Sequence, residues 1–102
     1  MATPREYIEN FLEELQLFGV RVRPMMGDYV VYCNEKAVGC ICDGRLFVKI
    51  TPASRSLLEG APQLPPYEGA GARYLVESDD KKFLAGLLQA IAAELPQPKK
   101  RK

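Results

Sequence analysis

A chain of 102 residues, 47% hydrophobic and 26% charged, has the size and composition of one globular domain, with room for one core and not for two. Its formal net charge of +1 hides an asymmetry: taking Lys99, Lys100, Arg101 and Lys102 from the fourteen Lys and Arg leaves ten, against thirteen Asp and Glu. The mildly acidic body weighs against a large phosphate-binding surface, the absence of an apolar run of bilayer length against a membrane protein, and the odd count of three cysteines against a secreted disulfide framework.

MATPREY has neither the basic start nor the apolar stretch of a secretory signal, so a cytoplasmic location is expected. Thr3-Pro4-Arg5-Glu6 opens a first helix. Thr3 is placed to cap, Pro4 takes the first helical position, and Glu6 completes a capping box. Tyr7, Ile8, Phe11, Leu12, Leu15 and Phe18 follow at helical spacing, with Glu6, Glu9, Glu13 and Glu14 mostly opposite them. Gly19 is expected to end this helix or to begin the next extended segment. Val20-Arg21-Val22-Arg23 then alternates as an edge strand does, and Pro24 is expected to stop the pairing.

Residues 25–50 read as three short strands joined by two tight turns. Asp43-Gly44 between apolar runs is a strong hairpin signal, because a two-residue turn needs positive φ at both positions; Cys33-Asn34-Glu35-Lys36 is a weaker one. Two-residue loops would fix the faces, since side chains alternate with a period of two. One face then carries Val30, Tyr32, Ala37, Gly39, Ile41, Leu46, Val48 and Ile50, and is the expected core side. The other carries Tyr29, Val31, Cys33, Lys36, Val38, Cys40, Cys42, Arg45, Phe47 and Lys49, a mixture suited to a half-exposed surface.

Thr51-Pro52 repeats the cap-then-proline device, predicting a short helix from Pro52 to about Glu59 with Gly60 after it. Residues 61–71, APQLPPYEGAG, predict an irregular loop that Leu64 and Tyr67 peg to the core. Residues 72–77 read as one more strand. Ser78 or Asp79 then caps a last helix whose stripe is Phe83, Leu84, Leu87, Leu88, Ile91 and Leu95. The expected fold is α+β in two layers: an antiparallel β-sheet covered on one face by the N- and C-terminal amphipathic helices. Residues 1–95 form the domain, and 96–102 a disordered basic tail.

Chemistry is sparse. No histidine is present, C-x-C on a strand lacks the turn by which C-x-x-C wraps an ion, and Asp28 and Asp43 have turn and cap roles already. Neither a metal, a cofactor nor a catalytic residue is expected, and the chain reads as a non-enzyme. Free thiols, buried or half-buried, are the expected state of Cys33, Cys40 and Cys42.

In residues 24–69 the chain resembles the N-terminal domain of the TfoX/Sxy family of competence regulators. Met25-Met26-Gly27 is similar to the family's M-F-G, Tyr32 stands at its G-L-Y tyrosine, and residues 43–49, DGRLFVK, are similar to its D-G-x-L-Y-L-K. Ser54-Arg55 matches a polar-Arg pair, and Pro66-Tyr67-Glu68 falls at its P-F-x-Y-E. The paired tyrosines before the last helix are represented only by Arg73-Tyr74-Leu75, and there is no room for the family's C-terminal domain. The resemblance implies a stand-alone, two-layer α+β N-terminal domain without established enzymatic activity, as in transcription regulators of bacterial origin.

Two uses of such a domain are expected. The first is protein contact, with a partner or a second copy of the chain covering Tyr29, Val31, Val38, Cys40, Arg45, Phe47 and Lys49. The second is weak nucleic-acid binding through Arg21, Arg23 and the tail residues Lys99, Lys100, Arg101 and Lys102, with Arg45 and nearby aromatics adding to it.

Overall fold

Local chemistry sets where each element begins and ends in the computed structural model, which describes residues 3–25, 28–78 and 80–95. Helix α1 spans Arg5–Leu15, with Pro4 at its N-cap and no side-chain cap, so the predicted Thr3 capping box does not form. Thr3 is instead drawn into a tertiary latch. Its hydroxyl donates to Asp28 Oδ1 at 3.0 Å and accepts the Gly44 N–H at 3.1 Å, while the Asp43 N–H reaches the same carboxylate oxygen at 3.1 Å. A turn of 3-10 helix, Gln16–Phe18, ends at Gly19 with φ 81°, a conformation that glycine adopts without steric cost. Phe18 lies in this turn and is exposed, so it is not part of the core stripe.

Among the described residues six strands follow in one sheet: β1 Val20–Met25, β2 Asp28–Cys33, β3 Lys36–Cys42, β4 Arg45–Val48, β5 Gln63–Leu64 and β6 Arg73–Val76. Their spatial order is β1-β2-β3-β4-β6-β5, every neighbour antiparallel. Pro24 does not stop the pairing, because it sits on an edge strand opposite Tyr29, where a missing donor is tolerated. Both tight turns form as expected, with positive φ at Asn34 (52°), Glu35 (69°), Asp43 (55°) and Gly44 (71°).

The faces differ from simple alternation because β3 carries a bulge. Tyr32 pairs with Ala37 but Val31 with Gly39, so one residue, Val38, is extra. Tyr29, Val31, Cys33 and Lys36 therefore lie on the helix-facing side with Gly39, Ile41, Leu46 and Val48, and Val38 joins the same core. Val30, Tyr32 and Ala37 move to the opposite face, contrary to the expected core side.

Helix α2 spans Pro52–Leu57, capped by Thr51, whose hydroxyl accepts the Ser54 N–H while Ser54 Oγ accepts the Thr51 N–H at 2.7 Å. The capping box is thus closed by a serine. The segment 61–71 is not wholly irregular, since Gln63 and Leu64 pair with Tyr74 and Arg73. Leu64 and Tyr67 do not peg it to the core; both are exposed, Tyr67 at 51%. Helix α3, Lys81–Glu94, is capped by Asp80, not Ser78; Asp79 lies outside the described residues. Asp80 Oδ1 accepts the N–H groups of Lys82 and Phe83.

Helices α1 and α3 pack on one face of the sheet, as expected. Ile8, Phe11 and Leu15 of α1, Leu58 beyond α2, and Leu84, Leu87, Leu88, Ile91 and Ala92 of α3 share one core with the inward strand residues. Burying each such large side chain is worth about 1.5–3 kcal/mol, which is why the open half of the sheet can be left to other chemistry. Lys36 Nζ donates to the carbonyls of Ala92 (2.9 Å) and Leu95 (3.0 Å), placing a cation at the negative end of α3.

Candidate functional site

Among the described residues every helix lies on one side, and the other side of the sheet is the surface they leave uncovered by secondary structure. Register assigns its residues: Arg21, Arg23 and Met25 on β1, Asp28, Val30 and Tyr32 on β2, Ala37, Cys40 and Cys42 on β3, Arg45 and Phe47 on β4, and Arg73 and Leu75 on β6. Lys49 follows Phe47 with the same parity. Five of the ten basic residues outside the tail thus stand on this face. The exposed glutamates of α1, Glu6, Glu9, Glu13 and Glu14, lie in the opposite layer. Carboxylates are present on the open face too: Glu35 pairs with Arg21, Asp28 shares the parity of Val30, and Glu77 lines a cleft with Arg45, so the face is basic by excess of cations, which composition alone cannot show.

The aromatic and sulfur residues beneath these cations are already covered by the chain itself. Phe47 is 1% exposed, Cys40 4%, Cys42 2% and Leu75 7%, and together they form a second, small apolar cluster. The Arg45 guanidinium lies 5.7 Å from the centre of the Phe47 ring, its stem spread over apolar surface while its charge stays wet. On the same face Arg21 lies 5.0 Å from the centre of the Tyr32 ring and forms an ion pair with Glu35 at 2.7 Å. Both partners of the ion pair stay open to water, the Arg21 side chain at 51% and the Glu35 side chain at 70% of full exposure.

The expected protein-contact face does not survive as a surface. Val31 and Val38 are buried against the helices, Tyr29 packs half-buried on the same core, and Cys40 and Phe47 are covered on the open side. Of the seven residues, only Arg45 is exposed and Lys49 half-exposed on the open face. Among the predicted nucleic-acid contacts, Arg21 and Arg23 are exposed on edge strand β1, whereas Lys99, Lys100, Arg101 and Lys102 lie outside the described residues, as do Met26 and Gly27. Sequence reading missed Arg73 and Tyr32 as members of this face. The signal that would have found Tyr32 is Gly39, because an isolated glycine in a strand marks a bulge or a close backbone approach.

The cysteines are divided between the two faces. Cys33 faces the helices and its thiol reaches the Phe18 carbonyl at 3.8 Å, while the Cys40 and Cys42 sulfurs sit 3.7 Å apart on the other side. All three are free and buried. Among the described residues no group of three or more His, Cys, Asp or Glu side chains is placed to hold a metal ion. Burial pushes the Cys33 and Cys40 thiols up, and burial with the neighbouring Cys40 sulfur pushes Cys42 up to about 12. Burial, then the nearby Arg73 charge, holds the Lys49 ammonium below its ordinary value.

A reactivity and stability prediction follows from the thiols. Native protein should resist alkylation by iodoacetamide at pH 8, and all three thiols should react once it is unfolded, as counted by mass spectrometry. A folded pKa above the unfolded one means stability is complete below about 9 and is lost as pH rises toward about 12. Urea midpoints should therefore fall across that alkaline window, and fall less in Cys42→Ala. Rapid native alkylation, or an unchanged alkaline slope in the variant, contradicts this.

Two small clefts lie at one edge of the molecule, of about 150 and 260 Å³, and share Tyr7 and Ser78. Both are smaller than a typical organic cofactor site. Burial raises the Tyr7 hydroxyl above its ordinary value. Among the described residues no helix is long and apolar enough to cross a membrane.

No known protein-family profile and no solved structure matches the chain. An uncharacterized 12.7 kDa protein in the trpE 5′ region of Spirochaeta aurantia is 39% identical over 105 residues, covering 100% of this chain and 91% of that protein. At this identity and coverage the two share one fold and one origin, and the chain belongs to the same family as the Spirochaeta aurantia protein.

Proposed function

We propose that this chain is a non-enzymatic binding module, akin to the N-terminal domain of TfoX-type regulators, whose open sheet face receives an anionic partner. The order helix, meander, short helix, strand, helix supports the kinship. One observation carries the binding reading: Arg21, Arg23, Arg45, Lys49 and Arg73 occupy the face of the sheet that no helix among the described residues covers. Partner capture through apolar contact has lost its basis, because the residues meant to supply the patch are buried within the chain. Edge-to-edge pairing of two copies through β1 is also disfavoured, since Arg21, Arg23 and Pro24 are the devices by which edge strands resist it.

Retention on immobilised heparin tests the reading. The full chain should be retained, and Arg23→Glu and Arg45→Glu should each elute at lower salt. Lys82→Glu makes the same change of charge on the helical side and should elute close to wild type. A chain with Lys99→Gln, Lys100→Gln, Arg101→Gln and Lys102→Gln should keep part of its retention. Equal effects at Arg23 and Lys82, or retention lost wholly with the tail, would count against the sheet face.

A further inference from the structure

Building on that reading, we infer that the ligand of the open face is single-stranded nucleic acid, its backbone crossing the strands from Arg23 toward Arg73 with a base seated on Tyr32. Three observations favour this polymer over duplex. First, α1, α2 and α3 share the far side with the core, so among the described residues no helix is available to enter a major groove, and a broad sheet face cannot follow one. What the face can do is track a backbone.

Second, the cations span the sheet. From β1 to β6 there are four inter-strand steps. At about 4.8 Å each they cover roughly 20 Å, the length of a few nucleotides of extended strand. Arg23 stands on β1, Arg45 and Lys49 at β4, and Arg73 on β6, so basic groups recur along this path.

Third, the path has a stacking position. Tyr32 and Val30 are half-exposed beside the arginines, and the residue across from Tyr32 is Ala37, too small to fill the space next to the ring. The Arg21 guanidinium over Tyr32 shows that the ring accepts a planar partner there, and guanidinium and base can both stack on one aromatic. Phe47 and Tyr29 cannot serve, since one is covered and the other faces the helices. The low count of open aromatics implies weak sequence preference, with affinity carried mainly by phosphates.

The test is fluorescence anisotropy of labelled oligothymidylate, oligouridylate and a mixed-sequence duplex titrated with the full chain at several salt concentrations. The single strands should bind more tightly than the duplex, with log affinity falling against log salt at a slope of about −2 to −3. Tyr32→Ala should weaken single-strand binding about tenfold, Tyr32→Phe should restore most of it, and Arg23→Glu should lower both affinity and slope. Duplex binding equal to single strand, or Tyr32→Ala binding like wild type, overturns the inference. If neither single strand binds while heparin retention still depends on Arg23 and Arg45, this inference falls and the anionic-partner reading stands. If heparin is not retained either, both fall.

Discussion

Gly39→Ala should destabilise this protein by about 3 kcal/mol, a large share of the roughly 5–15 kcal/mol that holds a domain of this size together. The cause is space, not backbone freedom. Gly39 is buried in the middle of β3, paired with Val31 on one side and Val48 on the other. A Cβ built there would stand 2.1 Å from the Phe47 carbonyl oxygen and 3.0 Å from the Val48 Cα. Those are backbone atoms of the neighbouring strand, which cannot rotate aside as a side chain would. Relief requires β3 and β4 to separate, and their pairing holds Phe47 over the thiols and Val48 in the core.

Two other glycines give the scale. Gly44 has no atom within 4 Å of a built Cβ, but its φ of 71° is a conformation that alanine resists, so Gly44→Ala should cost about 1 kcal/mol. Gly71 has neither obstacle, and Gly71→Ala should be neutral or slightly stabilising through the unfolded chain. Urea unfolding of the three variants checks the order. If Gly39→Ala loses no more than Gly44→Ala, the close approach of the two strands is not as described.

The same glycine explains why the fold was legible in sequence and the site was only half so. Helix stripes, both tight turns, the Thr51-Pro52 start and the edge strand Val20-Arg23 could be read because each is a local pattern with a local cause. Which side of β2 faces the helices is not local. It depends on a single extra residue in β3, and one residue inverts a whole strand. Val31 and Val38, expected on a partner-binding surface, became core, and Tyr32, expected in the core, became surface. Tertiary competition likewise took Thr3 from its helix, because Asp28 and the Gly44 N–H offered it two partners where a cap offers one. The gathering of Arg21, Arg23, Arg45, Lys49 and Arg73 on one face was equally out of reach, since net charge does not say where each charge stands.

Lys36 is the other residue that the bulge re-aimed, and its replacement should have the second largest effect. On a strand read by simple alternation it would project to the mixed face with Cys40 and Cys42. Paired with Cys33 across the two-residue turn, it projects to the helical side and ends at the last turn of α3. There the ammonium donates to Ala92 O at 2.9 Å and Leu95 O at 3.0 Å. These carbonyls lie at the helix end where intrahelical donors run out; Ala92 O also accepts the Leu95 N–H at 3.2 Å, and the helix dipole adds attraction for a cation. Hydrogen bonds to a charged group are worth about 1.5–3 kcal/mol in mutational series, and partial access of water to this turn favours the lower half of that range. Lys36→Met keeps the length and apolar stem of the side chain and removes only the charge and the donors. We expect a loss of about 2 kcal/mol, seen as a lower urea midpoint at unchanged slope and a melting temperature lower by roughly 10 °C. Lys82→Met, on the exposed first turn of α3, should change stability by less than about 0.5 kcal/mol. A Lys36→Met protein as stable as the Lys82 variant would mean that the carbonyls of α3 are satisfied by water, and that the strand-to-helix tie contributes nothing. A loss confined to Lys36 would establish that β3 anchors α3 by charge as well as by packing, and would tie the register set by the bulge to the helix layer that leaves the basic face open.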